Sequence, residues 1–396
     1  MNEWPRVPAG KIARQRREII HLEPGTEYRT MGVRWYGKGA YDRGVVTTET
    51  VKAKSLYRVR EGDFTFNRID TQKGAFDVIS AELDGTLATN EFPLYEVRRA
   101  EVDARFLLLN FQRPEVLRQI GAVRAGSEGR ARWKEADFEA WVVPLPPVPV
   151  QERIIEVIGA VDDQIAALDR ESEALAGILE SLRSDLPMAD QQPVGDVLLG
   201  IDSGKSVQAG GEALSEDKFR ILKLSAVQRG WFKPSEAKAV TDADAFSASH
   251  IVNDGDLLIT RANTPERVGF VAVAKSVPQG TFMPDLIWRL RIDESRVSVN
   301  YLQHALSSHE LRTRISGTAG GTSKSMVKIN KRGFGSIRVP LPSLMEQGDY
   351  VRRCDAVVEV IMATRTEVAC LRKVRAGLLE GLLDNTLDIK SAELEI

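Results

Sequence analysis

The sequence predicts an α+β fold that occurs twice: two tandem α+β domains, each followed by a long helix, with the two helices paired as an antiparallel coiled coil. Residues 151–186 and 347–382 carry the same apolar heptad pattern, displaced by 196 positions. A Val-Pro-Leu-Pro run precedes each of them, at 143–146 and 339–342. Before those runs, short β-branched or aromatic segments bounded by Gly, Pro, Asn or Asp are typical of strands and turns. The chain is therefore predicted to be an internal pseudo-repeat.

The length of the chain and the repeat together suggest the domain boundaries. A chain of 396 residues suits two or three domains. Fainter matches between the two halves continue through the domains, such as Gly62-Asp63 with Gly255-Asp256 at a displacement of 193. We predict five segments: a first domain at 1–143, a first long helix at 144–187, a second domain at 188–339, a second long helix at 340–390 and a tail at 391–396.

Each domain is predicted to combine a twisted, partly open sheet with a helix. In the first domain, residues 56–59 and 63–67 have the composition of strands, and 103–120 has a helical period. The second domain repeats this plan, with predicted strands at 256–260, 269–273 and 286–292 and a predicted helix at 300–315.

Both long helices carry a strict 3.5-residue apolar period, which is typical of a coiled-coil seam. About 36 residues at ~1.5 Å each give a helix of roughly 50 Å. Ser172 and Arg375 interrupt the two seams and could fix their register. Packing of each helix on its own domain is the alternative to mutual pairing. The predicted seam residues are Ile158, Val161, Ile165, Leu168, Leu175, Leu179 and Leu182 in the first helix and Cys354, Val357, Ile361, Val368, Leu371, Leu378 and Leu382 in the second.

Charge separates the domains from the helices. Residues 1–143 hold 24 Lys and Arg against 21 Asp and Glu, and 187–340 hold 20 against 16. The first helix is acidic, because 151–186 hold 3 against 9. The whole-chain charge of −2 therefore conceals two basic domains.

The basic residues lie mainly in Gly-bearing loops with aromatic residues beside them. Phosphates attract cations and base edges need long polar side chains, so this pattern suggests nucleic-acid binding, with an ordinary solvated surface as the alternative. Arg68 and Arg261 follow the matching Gly-Asp segments and could contact phosphate or brace their strands through an Asp. The candidate DNA-binding residues are Arg34, Trp35, Lys38, Arg43 and Arg68 in the first domain and Lys205, Arg229, Lys233, Arg261, Lys324 and Lys328 in the second.

The sequence lacks clear signatures of catalysis, of metal binding and of a membrane span. The run from Gly200 to Ser206 resembles a phosphate-binding loop, but it has three residues between its glycines where the motif needs four. His304 and His309 are five apart, which does not align two imidazoles on one helical face. We expect no metal site, no disulfide, no membrane association and a cytoplasmic location.

The entries to the long helices resemble a known family. The segments are Pro-Leu-Pro-Pro-Val-Pro-Val-Gln-Glu-Arg-Ile at 144–154 and Pro-Leu-Pro-Ser-Leu-Met-Glu-Gln at 340–347. With the repeated order of domain and helix, they resemble the specificity subunit of type I restriction-modification systems. The second segment matches the family's Pro-x-x-x-Glu-Gln pattern, whereas the first departs from it with Gln151-Glu152 in swapped order.

The resemblance implies two target-recognition domains that each read half of a bipartite, asymmetric double-stranded DNA target, with the helices as spacer. It implies a non-catalytic chain that docks two DNA adenine methyltransferase subunits and restriction/translocase subunits, in a system of DNA methylation and phage defence. No cofactor is expected on this chain; S-adenosylmethionine, ATP and Mg are expected on the partner subunits.

Two alternatives remain open from the residues. One is a nuclease or methyltransferase with diverged motifs, and the other is a coiled-coil scaffold protein without DNA readout. The first would show activity as the purified chain alone, and the second would show no salt-sensitive DNA binding.

Overall fold

The structure, a computed structural model, describes residues 4–123, 132–206, 211, 219–240, 246–323 and 326–387. The chain divides into two compact units. Unit 1 contains residues 1–168 and 367–396, and unit 2 contains residues 169–366. Each unit therefore includes one α+β domain and a part of each long helix.

Apart from the long helices, the described residues of unit 1 form short strands and four short helices. Its strands are β1 (Arg6–Pro8), β2 (Ala13–Arg16), β3 (Ile19–His21), β4 (Tyr28–Val33), β5 (Ala40–Val46), β6 (Ser55–Arg58), β7 (Phe64–Phe66), β8 (Phe76–Val78), β9 (Leu87–Ala88), β10 (Leu94–Val97) and β11 (Val142–Pro144). Its short helices are α1 (Ala9–Ile12), α2 (Ala104–Phe111), α3 (Pro114–Val123) and α4 (Glu135–Ala140).

The described strands of unit 1 form three sheets. The four-stranded sheet packs against an aromatic core, whereas the five-stranded sheet packs on a separate cluster that includes Met31 and Val33. A five-stranded sheet has the order β3-β6-β9-β4-β5, a four-stranded antiparallel sheet has the order β2-β10-β7-β8, and β1 pairs with β11. β7 is buried along its whole length because Phe64 and Phe66 contact the aromatic rings of α2 and α4. Ring stacking and burial of these large side chains fix the sheet against the helices.

Unit 2 repeats part of this plan. Its strands are β12 (Gln191–Pro193), β13 (Leu198–Ser203), β14 (Arg220–Leu222), β15 (Val227–Gln228), β16 (Trp231–Phe232), β17 (Ala237–Ala239), β18 (Leu257–Thr260), β19 (Ala262–Asn263), β20 (Val271–Val273), β21 (Thr281–Phe282), β22 (Ile287–Ile292), β23 (Gly320–Ser323), β24 (Met326–Lys328) and β25 (Arg338–Pro340). Its short helices are α6 (Val299–Ser307), α7 (His309–Gly317) and α8 (Lys331–Gly335).

The two units share one sheet and differ in the others. The antiparallel sheet β13-β22-β18-β20 repeats the connectivity of β2-β10-β7-β8, and β12 pairs with β25 as β1 pairs with β11. Unit 2 adds the small sheets β17-β14-β21, β15-β16 and β19-β24-β23 where unit 1 has its five-stranded sheet. The structural difference between the repeats therefore lies mainly in these sheets.

The helices predicted at 103–120 and 300–315 are each broken in two, which corrects those predictions. In unit 1 the break precedes Pro114, whose ring cannot donate the backbone hydrogen bond that a continuous helix needs. In unit 2 the break falls at Ser308, which ends α6 with extended backbone (ψ 153°) and accepts a side-chain hydrogen bond from the backbone N–H of Leu311. A capping residue in place of Pro thus produces the same break.

The long helices are α5 (Val148–Ser184, 37 residues) and α9 (Leu344–Leu383, 40 residues). In unit 1 the beginning of α5 packs with the end of α9, since Ile154 and Ile158 share a core with Leu379 and Leu382. In unit 2 the end of α5 shares a core with the beginning of α9, including Cys354. The two helices therefore run antiparallel, and the predicted α+β fold with paired long helices is confirmed.

The predicted seam residues lie on the inner faces of these helices. Ser172 and Thr364, which interrupt the apolar rows, are also buried. Arg375 donates hydrogen bonds from its guanidinium to Asp162 at 2.8 Å and to Gln112 at 2.6 Å, and so links α9 to α5 and α2 within unit 1. The buried seam residues are Ile158, Ile165, Leu168, Leu179, Cys354, Ile361, Val368 and Leu382, and the partly buried ones are Val161, Leu175, Leu182, Val357, Leu371 and Leu378.

A buried glutamine fastens the start of α5 to the first domain. Gln151 has no solvent exposure. Its Nε2 donates to the carbonyl oxygens of Glu101 at 2.9 Å and Pro146 at 2.8 Å, and its Oε1 accepts from the backbone N–H of Asp103 at 3.0 Å. Because Asp103 is the N-cap of α2, this side chain joins the two helix starts.

Gln347 makes the same three bonds at the start of α9. Its Nε2 donates to the carbonyl oxygens of Arg296 at 3.0 Å and Pro342 at 2.9 Å, and its Oε1 accepts from the backbone N–H of Ser298 at 2.8 Å. Gln151 and Gln347 are 196 residues apart and are called the glutamine latches below. The interpretation of Gln151-Glu152 as a swapped pair is wrong, because the two glutamines occupy equivalent positions and only the preceding Glu346 has no counterpart in α5.

Candidate nucleic-acid interface

Four of the five candidate DNA-binding residues of the first domain lie on the hairpin of β4 and β5. The two strands pair antiparallel from Tyr28 with Val46 to Val33 with Ala40. The residues between them, 34–39, are called the hairpin tip below. Arg34, Trp35 and Lys38 all lie in this tip because they are close together in the sequence. These three residues and Arg43 of β5 are exposed.

Cations and aromatic rings are interleaved at the hairpin tip. The guanidinium carbon of Arg34 lies 4.0 Å from the ring centre of Tyr41, and the Lys73 Nζ lies 4.6 Å from that of Trp35. The Trp35 Nε1 donates to the carbonyl oxygen of Ile69 at 3.3 Å. These contacts orient the rings. The charge of Lys73 is paired with the Asp70 carboxylate at 2.8 Å, and the exposed Arg34 and Lys38 supply positive charge at the tip, an arrangement suited to an anionic partner that also offers flat apolar surfaces.

Arg68 has a structural environment. Its side chain is mostly buried and donates to the carbonyl oxygen of Asn90 at 3.2 Å, with Glu135 at 3.5 Å from its Nε. Arg68 lines a cavity of about 210 Å³, and the side chains of Arg16 and Arg17 line the same cavity. Arg68 thus links the turn after β7 to the segment between β9 and β10 and to α4, whereas the Asp of the preceding Gly-Asp segment bonds elsewhere. A role of Arg68 in DNA binding stays a prediction.

The two Gly-Asp segments share a local role. Asp63 accepts from the backbone N–H of Arg60 at 3.1 Å and from the Arg16 Nε at 3.0 Å, and burial raises the pKa of its carboxyl. Asp256 accepts from the backbone N–H of Asn253 at 2.9 Å and from Arg289 at 3.2 Å. Each carboxylate therefore closes the turn that begins its strand, and an arginine from another strand of the same sheet binds it.

Two candidates of the second domain bind acidic side chains of their own unit. Arg229 donates to the carbonyl oxygen of Ser307 at 2.7 Å and to Glu180 of α5 at 2.8 Å. Lys233 donates to Glu236 at 3.0 Å. Arg229 therefore fastens the β15–β16 turn to α5 and α6, which favours a bracing role over base reading.

The remaining candidates of unit 2 are placed differently. Lys328 is exposed on β24, beside Ala262 of β19, and Lys205 is exposed at the end of β13, where its N–H donates to the carbonyl oxygen of Met283 at 3.1 Å. Arg261 lies half-buried with its guanidinium carbon 5.7 Å from the ring centre of Trp288. Lys324 lies outside the described residues. The roles of all these side chains in binding stay predictions.

Two residues of the hairpin tip region were missed from the sequence. Tyr36 is 72% exposed, and its position beside Trp35 and before Gly37 was an available signal. Lys73 reaches Trp35 from a turn 38 residues further along the chain, and only the tertiary structure brings them together.

The described part of the chain offers little that would support catalysis. It contains no group of three or more His, Cys, Asp or Glu side chains that could hold a metal ion. The Gly200–Ser206 run lies mostly in β13, which pairs with β22, so it does not form a loop that opens a helix. Among the described residues, no helix is long and apolar enough to cross a membrane.

The fold resembles that of solved type I restriction-modification proteins. One similar chain comes from a structure that describes complex assembly and conformational transition of a type I R-M system. It has a TM-score of 0.57 at 18% identity, and the match covers 98% of this chain and 99% of that chain. The S subunit of a type I restriction-modification system from M. genitalium has a TM-score of 0.54 at 12% identity, with 96% of both chains covered. These structures define the class: two α+β domains joined by paired long helices.

Curated relatives agree on a particular family within that class. The EcoEI specificity subunit of Escherichia coli is 22% identical over 49% of this chain and 33% of its own length, and the EcoKI specificity subunit of E. coli K12 is 24% identical over 56% and 52%. The putative MjaX specificity subunit of Methanocaldococcus jannaschii is 20% identical over 87% and 83%. No family model matches the chain.

The chain is therefore similar to type I restriction enzyme specificity subunits, and the resemblance predicted from the sequence is confirmed. It spans about a third to a half of the length of the first two relatives.

Proposed function

We propose that the chain is the sequence-specific DNA-recognition subunit of a type I restriction-modification complex. The observation that carries this proposal is the hairpin tip, where exposed cations and aromatic rings project from a rigid sheet in a protein related to specificity subunits. Cations supply attraction to phosphates, and long polar side chains supply contacts to base edges. Each domain would read one half of a bipartite, asymmetric target.

In this proposal the chain binds the DNA target and positions the partner subunits on it. The partner subunits carry out catalysis. Two DNA adenine methyltransferase subunits and restriction/translocase subunits would dock on it in the cytoplasm. S-adenosylmethionine, ATP and Mg would then be used by those partners. The paired helices α5 and α9 would serve as the spacer, and the acidic surface of α5 would serve as a docking surface for partner subunits.

The proposal is tested by finding the target and then measuring binding to it. Methylation-aware sequencing of the host genome should reveal a bipartite methylated motif. The chain, co-purified with its methyltransferase partner, should bind a duplex carrying that motif more tightly than a scrambled duplex. Its affinity should fall steeply between about 50 and 200 mM salt, because phosphate contacts release counterions.

Variants of the hairpin tip provide the sharper comparison. Lys38→Ala should weaken binding and reduce the salt dependence, whereas Lys373→Ala, an exposed lysine on α9, should leave both unchanged. Arg34→Ala should reduce discrimination between target and scrambled duplex by about 1 to 3 kcal/mol if it reads a base. Binding without salt sensitivity would favour the scaffold alternative, and metal- or S-adenosylmethionine-dependent activity of the chain alone would favour an enzyme.

A further inference from the structure

The most exposed ring of the hairpin tip sits on an unfavourable backbone. Tyr36 has φ 61° and is followed by Gly37 with φ 66°, and the N–H of Lys38 reaches the carbonyl oxygen of Trp35 at 3.4 Å. These φ values are those of a type I′ turn, in which Asn, Asp or Gly normally fills the first central position. A bulky aromatic residue at positive φ is an outlier, and such outliers cluster at functional sites.

The surrounding structure holds Tyr36 in this conformation. Its N–H donates to the carbonyl oxygen of Lys73 at 2.6 Å, and the N–H of Gly37 donates to that of Gly74 at 3.0 Å. At the base of the tip, the N–H of Ala40 donates to the carboxylate of Asp77 at 2.5 Å. The tip is thus fastened to the turn at 70–74 and to β8, and the phenol is carried outward on a rigid support.

The neighbours of Tyr36 divide into packed and projecting groups. Trp35 is 39% exposed and is held by Ile69 and Lys73, whereas Tyr36 is 72% exposed. The exposed cations Arg34 and Lys38 flank the two rings in the sequence. A projecting ring between cations matches a ligand that combines phosphates with stacked bases.

We propose that Tyr36 is a wedge that stacks against or between base pairs of the DNA half-site bound by the first domain. This inference rests on the proposed DNA-binding function and deepens it. Insertion partly unstacks one base step, and pyrimidine–purine steps unstack most easily. Tyr36 would therefore contribute specificity through the deformability of that step, without a hydrogen bond to a base edge.

The positive φ allows a test in which loss of binding is not loss of folding. Tyr36→Gly and Tyr36→Asn remove the ring while fitting the left-handed backbone better than tyrosine does. Both variants should melt at the same temperature as the wild type or higher. Tyr36→Phe keeps the ring and is the matched control.

The readout uses duplexes with 2-aminopurine placed at successive positions of the half-site. For the wild type and Tyr36→Phe, fluorescence should rise at one position, because the wedge unstacks the base there. Tyr36→Gly and Tyr36→Asn should lose this rise and bind about 5- to 150-fold more weakly, the range expected for one lost base–aromatic stack. Replacing the responding step by a stiff A-tract should weaken binding of the wild type more than that of Tyr36→Gly.

Failure of this inference can be distinguished from failure of the proposed function. If the wild type binds DNA with the expected salt dependence, but Tyr36→Gly binds equally well with unchanged fluorescence, the wedge is refuted and DNA recognition stands. If Tyr36→Gly weakens co-purification with the methyltransferase and leaves DNA affinity unchanged, the ring is a protein contact and the wedge is refuted. If the wild type shows no salt-sensitive binding, both proposals are wrong.

Discussion

His304 illustrates how a single residue can carry a pH response in unit 2. It is fully buried on α6, its Nε2 lies 2.7 Å from an Asp355 carboxylate oxygen, and its Nδ1 accepts a hydrogen bond from Arg183 at 3.4 Å. Burial, together with the positive charge of Arg183, lowers the pKa of His304 below its ordinary value near 6.5. The neutral ring is therefore the native form.

This shift predicts acid sensitivity of unit 2. The unfolded chain binds a proton at His304 near pH 6.5, whereas the folded protein binds it only at lower pH, so the stabilisation is complete above about 6.5 and is lost as the pH falls below it. The melting temperature should drop more steeply between pH 7 and 5 for the wild type than for His304→Gln. His21→Gln, at an exposed position, is the control and should follow the wild type. Parallel curves for all three proteins would contradict the prediction.

The candidate residues also show what a sequence can say about a site. Arg34, Trp35 and Lys38 are neighbours in the chain, so a turn at Gly37 and Gly39 suffices to bring them together. The partner of Lys233 is Glu236, three residues away, so this ion pair could have been predicted from the local sequence. The partner of Arg229 is Glu180, 49 residues away on α5, and only the packed structure reveals that this cation is engaged.

At the scale of elements, the glutamine latches connect the long helices to their domains. Gln151 is fully buried, and its replacement by leucine would remove the hydrogen bonds to the N–H of Asp103 and to the carbonyl groups of Glu101 and Pro146. We expect Gln151→Leu to lower the free energy of unfolding by about 1 to 3 kcal/mol, measured from the urea midpoint. Glu152→Gln, at the exposed next position, should have little effect. An unchanged midpoint for Gln151→Leu would show that water replaces the amide at low cost.

Helices and strands could be predicted from the sequence where the contacts that determine them join residues close together in the chain. The heptad seams predicted α5 and α9 and their antiparallel pairing because the 3.5-residue period is written continuously in the sequence. The strands β6, β7, β18, β20 and β22 were placed correctly to within two residues for a similar reason. The order of the five-stranded sheet was beyond reach, since β9 lies between β6 and β4 through ladder bonds that join distant segments.

At the scale of the whole molecule, the proposed spacer role of α5 and α9 makes a quantitative prediction. Inserting one heptad in α5 after Leu168 and one in α9 after Thr366 preserves both seams. Each insertion lengthens its helix by about 10 Å, which corresponds to about three base pairs of DNA. Methylation-aware sequencing should then show a recognised motif whose central gap is about three base pairs wider. A heptad in α5 alone should instead disrupt pairing, and an unchanged gap with both insertions would refute the spacer role.

Unit 1 is built from two stretches that are far apart in the sequence, which affects the order in which the two units can fold during synthesis. Its core contains Ile154 and Ile158 near the middle of the chain, but it is closed by Leu379, Leu382 and Leu383, which are synthesised more than 200 residues later. At typical ribosomal rates that interval is on the order of 10 to 40 seconds. Unit 2 comes from one continuous stretch and can finish first. The domain whose synthesis begins first is thus completed last, because its core lacks Leu379, Leu382 and Leu383 until the end of α9 has been synthesised.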